Sequence, residues 1–563
     1  MQIQNQGSFT RGSQLYAHKF RMFGQGTKNS VIVGLVCAIG WLLWRMYQHL
    51  SLVSVYYLVI ERYVQLKLAI GRHFYPLSKI GIEFYHFEKK DFVYSSAKEY
   101  IYHFWHVMPY GSSITSFWHW CIYSALLELS AVFIIGVLVT TIFFIQRGKQ
   151  IIGVAKIRGG DLVETKVLAL ILRKVKMASN IVISGLPLVK DSETQHILLT
   201  GTTGSGKTNM LNELLPQIRK QNDRAIIFDL TGSFVDRFFD GKTDILLNPF
   251  EENTENWLPW NDCQEDFEFD ALASAFIDGE GFSDKYWEEA AQKVLSEALN
   301  KQKDSKDLTA LLNILTKVSL TEFCKYFEGT SAAGLVSKEG EKGTASVRAT
   351  LINKIARLKY LKDGGKFSIK YWINNGQGWL FITAPPNQRD TLRPLVSAWI
   401  DIAIKGLMER SPEAINQKMW FILDELPALQ KISSLKRGLA EGRKYGGCFV
   451  AGIQNIFQIE EIYGHAGALS LLDMFNTRFL FKVGDSRTAE YASKTLGEKE
   501  ISETKESLSY GADSMRDGVN INTIEHTKPL VMPTEILSLP TRTCYVKLAG
   551  NYPITRLSMK SQI

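Results

Sequence analysis

The sequence predicts an α/β protein: a parallel sheet layered with helices, interrupted by an all-helical insertion and preceded by a two-helix membrane anchor. Three observations predict it. Short, wholly apolar runs alternate with helix-type stretches from residue 196 onward, the pattern of strands buried on both faces. The stretch from about 251 to 370 has few such runs and many helix formers. Two long apolar runs stand within the first 150 residues. At 563 residues, 45% hydrophobic and 22% charged, the chain is too long for one domain and too apolar to be disordered. The formal net charge of +8 suits an anionic partner without proving one.

The first run is Val31 to Trp44, extended past Arg45 by Met46 and Tyr47. The long side chain of Arg45 can snorkel to the interface. The second is Leu126 to Ile145, with Glu128 as its only charge, expected near one end of the span or facing the other helix. Trp41, Trp44, Trp118 and Trp120 flank the runs, as interfacial aromatics do. Arg11, Lys19, Arg21 and Lys28 precede the first run without an acid. Arg147, Lys149, Lys156 and Arg158 follow the second. Both flanks are therefore expected on the cytoplasmic side, with a small domain between the spans on the far side. The first run lacks a small-residue cleavage site and reads as an anchor, not a removed signal.

Gly201, Thr202, Thr203, Gly204, Ser205, Gly206, Lys207 and Thr208 fit G-x-x-x-x-G-K-[ST]. A buried strand, His196 to Thr200, precedes them, and an amphipathic helix, Asn209 to Lys220, follows. Strand, glycine loop and helix together make a phosphate cradle, because glycines let backbone N–H groups approach the phosphates. Lys207 is placed to reach the β- and γ-phosphates of ATP, and Thr208 to hold Mg²⁺. The apolar run Met419 to Leu423 ends in Asp424 and Glu425. Asp424 is expected on the Mg²⁺ through water, and Glu425 beside the attacking water. Asp229, ending Ile226 to Phe228, is the weaker acid candidate because no second acid adjoins it. Trp379 to Thr383 and Cys448 to Ile453 complete the strand set. Gln454 follows the latter, where it can sense a γ-phosphate or is simply a polar strand end. Arg443 stands on a glycine-flanked stretch just before it: a surface arginine, or a guanidinium that reaches phosphate in a neighbouring subunit. The fold class is thus a RecA-like P-loop nucleotide-binding domain with an all-helical insertion and an N-terminal two-helix transmembrane anchor.

Within the insertion, Leu351, Ile355 and Leu358 recur at helical spacing and read as core. Lys325, Lys338, Lys342, Arg348, Lys354, Arg357 and Lys359 read first as a solvated face, second as a nucleic-acid face. The six cysteines form no C-x-x-C pair and read as structural. His103 and His106, three apart, are a weak metal candidate. The domain scheme is a cytoplasmic tail (1–30), an anchor with a periplasmic loop (31–150), the first part of the nucleotide domain (151–250), the all-alpha domain (251–370) and its second part (371–563).

With these motifs in order, the chain resembles the type IV secretion coupling proteins of the FtsK/HerA superfamily, in their conjugative branch. The residues that carry the resemblance are GTTGSGKT (201–208), WFILDELPAL (420–429), GRKYGGCFVAGIQN (442–455), Asn476 to Glu500 and Ser509 to Val519. The resemblance implies a hexameric ring ATPase of the bacterial inner membrane. It would recruit a relaxase–DNA complex with accessory relaxosome proteins and pass DNA to a type IV secretion channel. It also implies that the all-alpha domain faces substrate, that Arg443 acts across the subunit boundary, and that Gln454 is functional. Arg478 is a second arginine candidate. A receptor for protein effectors is the alternative reading. F-type relatives usually continue past the equivalent of Ile563 with a tail that docks an accessory protein. Docking through the helical insertion is therefore the other expectation.

Overall fold

The computed structural model describes residues 2–76, 79–151, 154–277, 285–411, 417–509 and 518–560. They fall into two compact units, Met1–Ala155 with Ser502–His526, and Lys156–Ile501 with Thr527–Ile563. The motif Ser509 to Val519 lies almost wholly outside the described residues, as do the side chains of Arg11, Lys19, Arg21 and Lys149.

In the first unit, two helices are long and apolar enough to cross a membrane, Phe23–His49 and Ala125–Arg147. The first belongs to a continuous helix, Gln2–His49, so the stretch read as a tail is itself helical. The two helices touch through glycine: a Cβ on Gly34 would lie 2.9 Å from Val137, and one on Gly136 3.1 Å from the Cα of Gly34. Small residues at such a crossing let backbones approach, which is how helices associate where no hydrophobic effect drives them. Glu128 faces the other helix, as its lone charge demands. Its carboxylate accepts from Arg45 through two bonds of 2.9 and 3.1 Å and from the Trp41 indole at 3.1 Å. Arg45 is thus an ion-pair partner and not only a snorkelling cation.

Between the spans lie helices Leu52–Gly71, Ala97–His106 and Pro109–Tyr123 and the hairpin β1 (Gly81–His86) and β2 (Asp91–Ser96). They close on a small core of Tyr57, Val64, Phe84, Tyr100, Phe104 and Ile114. His103 and His106 are exposed on this domain, and no metal-type cluster of side chains occurs among the described residues.

The second unit carries β3 (Val154–Gly159), β4 (Leu162–Glu164), β5 (Ala178–Ile183), β6 (Leu186–Val189), β7 (Ile197–Thr200), β8 (Arg224–Asp229) and β9 (Ile245–Leu247). It continues with β10 (Trp379–Thr383), β11 (Met419–Leu423), β12 (Gly447–Ile453), β13 (Thr477–Leu480), β16 (Thr543–Lys547) and β17 (Ile554–Ser558), while β14 (Glu498–Ser509) and β15 (Gly518–Pro529) fall mostly within the first unit's Ser502–His526. Ten of them form one sheet in the order β4-β17-β16-β13-β7-β12-β11-β8-β10-β9. From β13 to β9 every pairing is parallel, as expected, and β7, β8, β10, β11 and β12 are buried along their whole length. β16 is antiparallel to both its neighbours, so the sheet is mixed and not purely parallel.

Each face of the sheet has its own apolar layer. One includes Leu214, Ile227, Trp420 and Val450, and the other Ile226, Phe421, Trp399 and Phe449. The second layer is continuous with the insertion between β9 and β10, built from helices Asp266–Phe276, Lys285–Lys301, Leu308–Thr316, Leu320–Tyr326, Glu341–Ile355 and Ile369–Asn375. Leu351, Ile355 and Leu358 are in its core. Lys325, Lys338, Lys342 and Lys359 are exposed, as a solvated face requires. Arg348 departs from that reading. Its Nε and Nη2 donate to the carbonyls of Leu315 and Val318 at 3.1 and 2.7 Å, closing the C-terminal end of helix Leu308–Thr316. Lys354 lies 3.6 Å from Glu288.

Candidate active site

The parallel register brings the C-terminal ends of five strands level. Thr200 pairs with Ile453, Leu423 with Ala451 and with Phe228, and Asp229 with Thr383. The residues that follow each strand therefore meet at one edge, the usual binding crevice of a doubly wound sheet. A cavity of about 560 Å³ opens there, lined by Thr202, Gly204, Lys207, Thr208, Asp424, Glu425 and Gln454. The loop, the acid pair and the strand-tip glutamine, far apart in sequence, thus surround one space.

The glycine loop is pinned at both sides. Gly201 N–H donates to Ile453 and Thr202 N–H to Lys482, at 3.0 and 2.9 Å. Gly206 has φ +125°, and a Cβ there would lie 3.0 Å from the Cα of Arg542. Helix Lys207–Lys220 starts at once, so its N-terminal end faces the cavity. The Lys207 ammonium donates to the Gly201 carbonyl and, at 3.4 Å, to that of Thr202. Burial pulls its pKa down, and the carboxylates of Glu425 and Asp424 pull it back up.

Asp424 and Glu425 are both part-buried. Burial pushes the Asp424 carboxyl up to about 6, opposed by Lys207 and aided by repulsion from Glu425 and Asp229. Glu425 is raised too, chiefly by burial. The Gln454 amide donates to Glu425 Oε2 at 3.0 Å, while Oε1 is buried without a partner. The Ser205 hydroxyl is likewise buried and unpartnered. Of the orphaned atoms at the cavity, Glu425 Oε1 can accept from a water and Arg389 Nε can donate to a phosphate oxygen. A divalent cation fits the donor set as well: the Thr208 hydroxyl and the Asp424 carboxylate line the same space, oxygen ligands of the hard type Mg²⁺ prefers.

Other candidates sort differently. Asp229 is spent on local structure: its carboxylate accepts from the N–H groups of Thr231, Gly232, Phe234 and Val235. Arg478 is buried in β13 and bonded to Phe475 and Leu472 carbonyls, Tyr491, Thr495 and Asp473, so its donors serve its own subunit. Arg443 is not at this cavity. It lies on the turn Gly442–Tyr445 that enters β12, while Gln454 leaves that strand's other end. Seven extended residues separate those ends by roughly 20 Å. Two arginines not anticipated from sequence do line the cavity, Arg389 and Arg542. Arg389 opens the helix after β10, and its Nε is buried without a partner among the described residues. A polar run after a buried strand, Pro385 to Asp390, was the only available signal for Arg389. Arg542 comes from the C-terminal segment, where its N–H donates to Ser205, and only tertiary structure puts it there.

Loop, acid pair and sheet order define a P-loop nucleotide-binding protein of RecA-like architecture. The family model described as the type IV secretion-system coupling protein DNA-binding domain matches residues 180–560, and the chain belongs to that family. It is 35% identical over 464 residues to the coupling protein TraD of Escherichia coli (strain K12), covering 79% of this chain and 64% of that protein's length. The conjugative coupling protein TrwBdeltaN70 matches its fold with a TM-score of 0.64 and 30% identity, covering 72% of this chain and 93% of that one. TrwB in complex with ADP and Mg²⁺ matches equally, at 0.64 and 29%, over 73% of this chain and 95% of its own.

Proposed function

We propose that this protein is an inner-membrane ATPase that couples nucleotide hydrolysis to the delivery of DNA into a type IV secretion channel during conjugation. The observation that carries the reading is the convergence of Lys207, Thr208, Asp424, Glu425 and Gln454 on one cavity at the sheet's C-terminal edge. The kinship with TraD and TrwB supplies the coupling role, and the complex of TrwB with ADP and Mg²⁺ supports the nucleotide and the metal.

The chemistry follows from the residues. Backbone N–H groups of 202–208 and the helix N-terminus receive phosphate oxygens. Lys207 moves from the loop carbonyls to the β- and γ-phosphates. Thr208 and, through water, Asp424 would hold Mg²⁺, which would supply positive charge against the phosphates. Glu425 takes a proton from the attacking water, and the Gln454 amide fixes which carboxylate oxygen is free to do so. Arg443, remote from its own cavity, suits the cavity of a neighbouring subunit in a ring, the hexamer that the family resemblance implies. The two long apolar helices anchor the chain, with both basic flanks on the cytoplasmic side. DNA binding is expected to be salt-dependent and largely independent of sequence. The recruited complex contains the relaxase and its accessory proteins.

The test is ATP turnover by the full chain in lipid nanodiscs, with and without DNA. DNA-stimulated turnover that Lys207→Ala and Glu425→Ala each abolish is the expected result. Turnover indifferent to DNA at low salt, with no DNA bound, would remove the DNA role and leave the protein-effector receptor.

A further inference from the structure

A second polar cavity, of about 510 Å³, lies at the opposite edge of the same sheet. It is formed where β8 and β10 begin, at Arg224 and Trp379, with Gln377, Asn374 and Arg219 on its walls. Six extended residues put it roughly 20 Å from the nucleotide cavity along β8. None of the candidate site residues read from the sequence lines it.

Its distinguishing feature is Arg224. The residue is only 5% exposed, yet no carboxylate pairs with it among the described residues. Nη1 donates to the carbonyls of Trp372 and Gly376 at 3.0 and 3.1 Å. Nε is buried with no partner among the described residues. Nη2 makes no hydrogen bond among the described residues, so the Nε–Nη2 edge, whose two parallel N–H bonds match a carboxylate or phosphate, has no protein partner there.

The neighbouring charges do not satisfy it. Arg219 is committed to Asp244 at 2.7 Å and stacks 3.8 Å above the Trp379 ring. Asp223, which also lines the cavity, accepts from the Trp420 indole and the Lys418 N–H at 3.1 and 3.2 Å. Burial, with repulsion from Arg410, brings Arg224 down to about 10, so it remains a cation at neutral pH. A buried, unpaired cation is costly, and proteins keep one where an anion completes it. The exposed amide of Gln377 adds a donor at the rim.

We propose that this cavity is a second anion site, in which the free edge of Arg224 and the Gln377 amide take a phosphate group. Two sources share that chemistry, free phosphate and the phosphodiester backbone of DNA.

The test uses the full chain in nanodiscs carrying Lys207→Ala, which removes the nucleotide loop's ammonium and so separates the result from the ATPase reading; phosphate still held by the loop's N–H groups is told apart because changes at Arg224 and Gln377 leave it intact. Inorganic phosphate is titrated by calorimetry and its effect on the melting temperature is recorded. Saturable binding and a raised melting temperature are expected. Adding Arg224→Gln should weaken binding at least about tenfold, the least that losing a single charge-assisted hydrogen bond would cost. Gln377→Glu, an exposed change that places a like charge beside the anion, should do the same with the ligand-free melting temperature unchanged. A short single-stranded oligonucleotide that displaces phosphate, and loses affinity in the same variants, identifies the backbone as the source. Phosphate binding without displacement identifies the free ion. No saturable phosphate binding, or binding that both variants leave intact, would overturn the site.

Discussion

Asp424→Asn should make the ligand-free protein more stable while disabling it. The Asp424 carboxyl is held up at about 6, from an ordinary value of 3.8, because ionising it against burial and against Glu425 and Asp229 is unfavourable. A group whose native pKa is raised binds more protons folded than unfolded, so stability falls as pH rises between the two values. The cost is complete above pH 6 and absent below pH 4. That displacement corresponds to about 3 kcal/mol at neutral pH, an upper figure because the neutral amide also forfeits the attraction of Lys207. Thermal melts of wild type and Asp424→Asn at pH 7.5, 6 and 5 read it directly. The variant should melt higher at pH 7.5, and the gap should shrink on acidification. Nucleotide binding with Mg²⁺, followed by fluorescence of a labelled analogue, should weaken in the same variant. A variant that melts lower at pH 7.5, or a gap that pH does not change, would refute the reasoning, since either means the carboxylate is not strained by its surroundings.

Gln454→Ala frees Glu425 Oε2 and should lower turnover about a hundredfold or less with nucleotide affinity kept, as read by steady-state ATPase assay and binding titration. Arg478→Ala should cost about 3 kcal/mol or more in an unfolding titration, because it leaves two carbonyls and several side chains unpaired. Arg443→Ala should leave the melting temperature alone and lower turnover, and mixed rings of Arg443→Ala and Lys207→Ala subunits should recover part of it. In the anchor, Glu128→Leu strands the Arg45 guanidinium and should destabilise the helix pair by about 2 kcal/mol in nanodiscs, with Arg45→Leu restoring most of the loss.

The nucleotide edge was legible in the sequence because its parts are local. A buried strand followed at once by a glycine loop and a helix needs no knowledge of the rest of the chain, and Met419 to Glu425 reads the same way. What the sequence concealed depends on pairings distant in the chain. Nothing local in the sequence of β16 says that it runs antiparallel to β13. Arg389 and Arg542 carry no spacing to the loop, since the sheet order alone decides which strand ends meet. In sequence Arg348 reads as a cation on a solvated face and Arg478 as a second arginine candidate. They become structural only because facing carbonyls happen to lie within reach, which no periodicity encodes.

Gly452 shows how tightly the two kinds of information are joined. A Cβ at this position would fall 1.9 Å from the Asp424 carbonyl on the neighbouring strand, which no side chain can accommodate. The glycine between Ala451 and Ile453 therefore lets β12 press against β11 where the acid pair begins, and that contact carries Gln454 to Glu425. Gly452→Ala must push the strands apart at this point. The loss should reach about 3 kcal/mol of stability, the range for overpacked cores, with a larger fall in turnover than in nucleotide affinity. Catalytic geometry would fail first because Gln454 rides directly on the shifted strand tip, whereas the glycine loop meets that tip through one hydrogen bond, from Gly201 to Ile453. If Gly452→Ala instead lost nucleotide binding and turnover in equal measure, the strand contact would be supporting the loop as a whole and not the placement of Gln454.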